Sequence, residues 1–412
     1  MKKKKIVLFV FLIIGVLSLI FMYNKKINLN KNKLVNKSYA IYVKENNSSS
    51  YTDSKSIPKG NYLLNKEKSF CENNGEIASY DNINGIVGFS FIGSDRCTLY
   101  FDYRSSKSFS EVVKVSSNLV SSQDGTSFEI DDENGIRYEG TNPDNFICLD
   151  NQKEGTCSSS SLLFRIIGLF DEEYSTDGTN SSGTKKLLKV IDTNNYGGTS
   201  GKYWNSTGLN NWNTASLKTE LNGTYLTTLL GTSNVNSKLS SGVANAKWYL
   251  GGASTSNRSK LTAEGIYTEE RNPSAIYSGN PSSIYAKVGL MYPSDYGYAT
   301  VGGSTTNKTG CRSEPLYDWN RYQDSTNSDC KDNDWLFISQ ISFVNNGEFL
   351  ISPFSSTGSV VAVLMSPGFV HLMMADSASY RQFAVRPTFY LNIDILKIVG
   401  GDGSQTSPYH IG

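Results

Sequence analysis

The sequence predicts an α+β protein built on antiparallel sheets and preceded by an N-terminal transmembrane helix. Short apolar runs rich in Val, Ile, Phe and Tyr recur along most of the chain, separated by Gly, Asn, Ser and Asp. Only one or two stretches carry helical spacing, so strands and helices do not alternate as a parallel α/β sheet would require. The first residues, MKKKK followed by an uncharged run from Ile6 to Met22, are a separate and more specific signal.

That first run is just long enough to span a hydrocarbon core at about 1.5 Å per helical residue. A cleaved signal peptide is the alternative, but Met22, Tyr23, Asn24, Lys25 and Lys26 offer no small-residue cleavage site. The expectation is an uncleaved signal-anchor over residues 1–23, with Lys2 to Lys5 inside and the bulk of the chain outside. Residues 24–37 are polar and basic and read as a stalk.

A small, sandwich-like β domain is expected over residues 38–103. SYAIYVKE alternates, Ile57-Pro58-Lys59-Gly60 marks a turn, and GIVGFSFIG and CTLYFDY are two further short strands. Residues 104–137 read as a connector. Phe109, Val112, Val113 and Leu119 there have roughly helical spacing, and Asp131-Asp132-Glu133-Asn134-Gly135 is an acidic turn without the ligand spacing of a calcium loop.

Residues 138–412 form the second domain. NFICLD, SLLFRIIGLFDEE and KKLLKVIDT read as three successive strands. Leu217, Leu221, Tyr225 and Leu229 then make a stripe on one helix face, with Thr214 able to cap its start and Gly231 its end. AKWYLGG, IYAKVGLMY, WLFISQISF, FLISPFSS, VVAVLMSP, FVHLMM and FAVRPTFYLN are mostly strand-like. In the last of these, Phe383, Val385, Phe389 and Leu391 alternate onto one face with Arg386 opposite. Pro387 suits an edge or bulge, and GGDGSQTSPYHI turns back toward a short closing strand.

Composition narrows the functional classes. Of 412 residues, 38% are hydrophobic and only 19% charged, which suits a secreted β-rich protein and not a disordered one. With 39 basic and 38 acidic residues the net charge is +1, so no nucleic-acid partner is expected. The 6 cysteines of an exported chain pose a disulfide question. Sequential pairing, Cys71–Cys97, Cys148–Cys157 and Cys311–Cys330, keeps each bond inside one local unit; free buried thiols are the alternative. With 2 histidines and no C-x-x-C, Walker, G-x-G-x-x-G, G-x-S-x-G or H-E-x-x-H pattern, no metal and no cofactor are expected.

WNTASLKTELN, AKVGLMYPSDYGYA, WLFIS, FAVRPTFYLN and GDGSQTSPYHI, in that order, resemble an uncharacterised extracellular domain of Gram-positive bacterial surface proteins. That domain is similar to the broad C-type-lectin-like group that also holds formylglycine-generating-enzyme-like domains. NFICLD, FRIIGLFDEE and KKLLKVID resemble its opening hairpins, so the likeness runs from Tyr138 to Ile411. SYAIYVKE through CTLYFDY resembles a β module that precedes it. The resemblance implies a C-type-lectin-like fold whose loops form the binding face, and an arginine, here Arg386, that braces the core through carboxylate or carbonyl partners. It implies no known ligand.

Little in the chain points to an enzyme. A formylglycine-generating activity would need reactive thiols, for which Cys311 and Cys330 are the nearest residues. A lectin-type calcium motif is broken at Leu316 in Glu314-Pro315-Leu316. The adjacent acids Asp171, Glu172 and Glu173, Glu269 and Glu270, and Asp332 and Asp334 read as solvated loop charge. What remains is a recognition surface, with Trp319, Tyr322, Trp335, His371, Tyr380 and Arg381 as candidate ligand contacts, Trp335 doubling as a core residue. The expected function is a membrane-anchored surface protein that binds an extracellular glycan or protein without catalysis. The alternatives are an exported enzyme of the formylglycine-generating or hydrolase type and a purely structural envelope protein.

Overall fold

The computed structural model describes residues 38–45, 48–59, 62–73, 75–81, 85–90, 95–103, 136–253, 261–303, 305–319, 330, 334–337, 347–365, 368–374 and 382–412. The chain divides into two compact units, residues 1–105 and 106–412.

In the first unit, strands β1 (Ser38–Lys44), β2 (Thr52–Ser54), β3 (Tyr62–Leu64), β4 (Phe70–Cys71) and β7 (Arg96–Tyr103) form one sheet in the order β2-β1-β7-β3, with β4 also on β7. Strands β5 (Glu76–Asp81) and β6 (Ile86–Ser90) make a separate hairpin. The strand alternation puts Ile41 and Val43 of β1 beside Leu99 and Phe101 of β7 in the core. Cys71 and Cys97 face each other in the β4–β7 register and are bonded.

The second unit is organised by a sheet of eight strands. Along it lie β14 (Val288–Gly289), β18 (Thr388–Asn392), β11 (Thr184–Asp192), β10 (Leu163–Glu173), β9 (Phe146–Cys148), β20 (Tyr409–Ile411) and β19 (Ile398–Gly400), while β8 (Ile136–Arg137) pairs with β10. Strand β10 is buried along most of its length, which explains its largely apolar run, broken by Arg165. Its register shifts between Ile166 and Gly168, where a Cβ on Gly168 would lie 2.3 Å from the Ile136 carbonyl oxygen; only glycine admits β8 at that point. Strands β12 (Ala246–Tyr249) and β13 (Ser283–Ala286) form a hairpin, and β15 (Gly347–Pro353), β16 (Val361–Met365) and β17 (Phe369–Met374) a three-stranded sheet.

The helical stripe folds as expected over α1 (Ser216–Glu220), a π turn (Leu221–Tyr225) and α2 (Leu226–Leu230), burying Leu217, Leu221, Tyr225 and Leu229. The π turn frees Asn222, whose amide clamps the backbone at Lys287 and Val288 on the edge of the main sheet. Thr214 does not cap this run. It closes a short 3₁₀ turn instead, and Ala215 stands at the N-cap position, whereas Gly231 ends the run. Four further segments are α3 (Leu239–Gly242), α4 (Ala263–Arg271), α5 (Pro293–Tyr298) and α6 (Lys308–Ser313).

The expected fold class needs correction. The protein is mainly sheet, 37% strand against 18% helix, and its six short α-helical segments among the described residues exceed the one or two expected. These segments are brief caps and corners between strands, too short to show a stripe in sequence. No helix among the described residues is long and apolar enough to cross a membrane. The run from residue 6 to 22, the stalk over 24–37 and the connector segment 104–135 lie outside the described residues.

All three expected disulfides are present and no cysteine is free.

Candidate functional site

Helices α4, α5 and α6 meet around a cavity of about 270 Å³ lined by Thr262, Glu264, Tyr298, Lys308, Thr309, Arg312 and Ser313. Each wall is fixed by local hydrogen bonding. Thr262 is the N-cap of α4 and accepts from Gly265 N at 3.0 Å; Asn307 does the same for α6 through Gly310 N at 2.8 Å. Pro293 at the first turn of α5 sets the course of the helix that ends at Tyr298.

Glu139 organises the cations. Lys308 Nζ lies 3.2 Å from its Oε1 and Arg312 Nη2 3.0 Å from its Oε2, while the same Arg312 nitrogen donates to the Tyr298 carbonyl at 3.0 Å. Burial raises the Glu139 carboxyl above the usual range, and the two cations only partly offset it. The Arg312 guanidinium lies 5.4 Å from the centre of the Tyr298 ring. Behind the cavity, Trp319 donates its indole N–H to the Cys311 carbonyl at 2.9 Å, and Cys311 is bonded to Cys330. Helix α6 is thus held by both a disulfide and a buried indole.

The lining chemistry suits recognition. Thr262, Tyr298, Thr309 and Ser313 supply hydroxyls that donate or accept, Lys308 and Arg312 supply cationic donors, and Glu264 is the one carboxylate in the lining. The lining holds no histidine and no thiol, and Glu264 is its one acid, so no pair of carboxylates lies within it.

Beneath Tyr298 lies a cluster of buried charge. Its ring stands 5.1 Å from the Arg137 guanidinium, and Arg137 Nη1 is 2.6 Å from Asp295 Oδ1. Lys189 Nζ approaches Asp295 Oδ2 to 2.6 Å. Arg271 lies 3.7 Å from Glu172 and 3.4 Å from Glu270, and Ser294 holds Glu270 through both N–H and hydroxyl. Burial drives Glu270 up to about 7 against the opposing charge of Arg271. The expectation that these acids are solvated loop charge is therefore corrected: Glu172, Glu270 and Asp334 are all buried. Glu172 and Glu270 meet cations brought to them by other elements. Asp334 instead accepts the Leu336 N–H, and its Oδ2 has no hydrogen-bond partner.

The sequence-based candidates fall elsewhere. Trp319 is fully buried and Trp335 is 2% exposed, its indole N–H donating to the Tyr138 carbonyl at 3.0 Å with the Arg165 guanidinium 4.5 Å from its ring. Both are core side chains, not surface anchors, because each indole finds its acceptor inside. His371 is half-buried between Tyr317 and Phe369. Tyr322, Tyr380 and Arg381 lie outside the described residues. Among the described candidates, none of Trp319, Trp335 and His371 lines the cavity. Lys308, Arg312 and Tyr298 were not singled out in sequence; the helix ends that carry them are too short to give a periodic signal.

Arg386 takes the bracing place the resemblance implied. Its Nε and Nη2 each lie 2.9 Å from a Glu348 carboxylate oxygen, and Nη2 also donates to the Leu336 carbonyl at 2.6 Å.

Cys148, Asp150 and His410 cluster closely enough to suggest metal ligands. Cys148 is bonded to Cys157, however, so its sulfur is no thiolate ligand. Asp150 accepts from the Gln152 and Ser158 N–H groups and lies 3.2 Å from His410, whose other ring nitrogen is 3.0 Å from the Gly155 carbonyl. The group is a latch between β20 and the disulfide loop.

No family model matches the chain, and no curated protein and no solved structure matches it either. The lectin-like resemblance rests on the sequence phrases alone.

Proposed function

We propose that the chain is an extracellular, non-catalytic binding module whose ligand is rich in hydroxyls and carries a negative group, an acidic glycan being the class that fits. The observation that carries this reading is the cavity in which Lys308 and Arg312 share Glu139 beside four hydroxyl side chains and the ring of Tyr298. An anionic substituent would find charge-assisted donors there, and sugar hydroxyls would find both donors and acceptors.

Two further observations favour binding over catalysis. The paired Cys311 and Cys330 leave no thiol for a formylglycine-generating mechanism, and the buried acids Glu172 and Glu270 are paired with Arg271. Three disulfides are consistent with an extracellular protein. Attachment to a membrane would rest on residues 6–22, outside the described residues, and forms no part of the proposal.

The test is retention of the full chain on an array of acidic and neutral glycans. Binding to carboxylate-bearing glycans that weakens with salt, and that Lys308→Ala with Arg312→Ala reduces at least tenfold, supports the proposal. Absence of retention, or retention indifferent to the double substitution, overturns it.

A further inference from the structure

The buried pair Lys189 and Asp295 has a feature that an ordinary ion pair does not require. Both side chains are 1% exposed, and Nζ approaches Oδ2 to 2.6 Å. The rings of Phe170, Trp248, Tyr292 and Tyr390 surround the amine, with centroids at 5.9, 5.4, 4.2 and 5.3 Å. Water is thereby kept from both reacting groups. The carboxyl group is fixed on its remaining sides: Arg137 Nη1 donates to Oδ1 at 2.6 Å and the Tyr292 N–H donates to Oδ2 at 2.8 Å. A second acid stands in the same cluster. Glu172 is buried, accepts from the Tyr390 hydroxyl at 3.4 Å, and acts electrostatically on Lys189.

We infer that this is a modification site, at which Lys189 and Asp295 condense to an intramolecular amide that cross-links strand β11 to helix α5. The ammonium and the carboxylate become one amide and one water. A bond forms between Nζ and Cγ, the Cγ–Oδ2 bond breaks, and the two protons lost by the nitrogen leave on Oδ2. No oxidant or other reactant is needed.

The surroundings supply what the step requires. An amine must lose a proton to attack, and burial pulls Lys189 below the usual lysine range despite the neighbouring carboxylate. Glu172 is the acid placed to carry that proton toward the leaving oxygen, burial holding its own carboxyl above the usual range. Arg137, on Oδ1, faces the negative charge that develops in the tetrahedral intermediate. Two groups already in contact react without the entropy cost of meeting. The product also removes one positive and one negative charge from a low-dielectric interior, where holding an ion pair is expensive.

Mass spectrometry of the full chain decides the matter. After reduction and alkylation, the intact polypeptide should be lighter than its fully alkylated sequence by the mass of one water. Proteolysis should yield a branched peptide joining the segment around Lys189 to that around Asp295, with no tryptic cleavage at Lys189. Asp295→Ala should restore the full mass, and Glu172→Gln should leave most molecules uncross-linked. Linear peptides for both segments in the unsubstituted protein overturn the inference, whatever the variants do. A full complement of amide in Glu172→Gln overturns the role given to Glu172.

Discussion

Arg386 and Glu348 are joined by two parallel hydrogen bonds, Nε and Nη2 each 2.9 Å from one carboxylate oxygen, with both side chains 1% exposed. The pair links the segment before β18 to β15. Removing either partner would leave an unmatched charge in the interior.

Arg386→Ala and Glu348→Ala are each expected to cost about 3–5 kcal/mol, the range for breaking a buried pair. Replacing both with Met and Leu should recover much of that loss. Urea denaturation followed by tryptophan fluorescence measures it, and a single variant as stable as the parent would contradict the assignment.

Stability should fall as pH rises from about 4 to about 7. Burial raises Asp192 from 3.8 to about 6, against the opposing Asn194 N–H, and raises Glu270 to about 7. A carboxyl with a folded pKa above its unfolded value holds its proton more tightly when folded, so folding is favoured at low pH and that advantage is lost as pH climbs through the folded value. Asp192→Asn keeps Oδ1 as the acceptor for Asn194, offers its amide N–H to the Tyr225 hydroxyl oxygen, and should flatten part of the slope. Melting temperatures across that interval report the change.

Reducing the Cys311–Cys330 bond should weaken ligand retention before it unfolds the second unit, because Cys311 lies within the helix that carries Lys308, Thr309 and Arg312. Cys311→Ser with Cys330→Ser is expected to lose at least tenfold in affinity while the sheet content by circular dichroism stays near that of the parent. Unchanged affinity would separate the disulfide from the cavity.

Trp319→Phe removes the indole N–H that serves the Cys311 carbonyl and leaves that carbonyl with the Glu314 N–H at 3.3 Å. A loss of about 0.5–1.5 kcal/mol is expected, the net worth of one hydrogen bond. If Trp319 were instead a ligand contact, affinity would drop at unchanged stability.

Some of this was legible in sequence for physical reasons. The runs that became β9, β10 and β11 were readable because a buried strand must be apolar. The stripe Leu217, Leu221, Tyr225 and Leu229 was readable because one helix face must be. The cysteine pairs were local, and Arg386 announced itself as a charge inside an apolar strand. The interior charge cluster gave no such sign. Arg137 and Asp295 are 158 residues apart and Lys189 and Asp295 are 106 apart, so an acid such as Glu172 looked solvated until the fold delivered its partner. Trp319 and Trp335 were read as candidate surface contacts for a related reason: an indole near a cysteine loop looks the same in sequence whether its N–H points outward or to a carbonyl inside.

The parallel pairing of β20 with β9 sets the timing of assembly. Strand β9, near the start of the second unit, waits for Tyr409 and His410 before its outer edge is covered. His410 must also reach Asp150 to close the latch. A polypeptide emerging from its N-terminal side therefore exposes an open sheet edge until residues 409–411 arrive. Protection of that edge, or closure fast enough to outrun strand-swapped aggregation, becomes a requirement for yield.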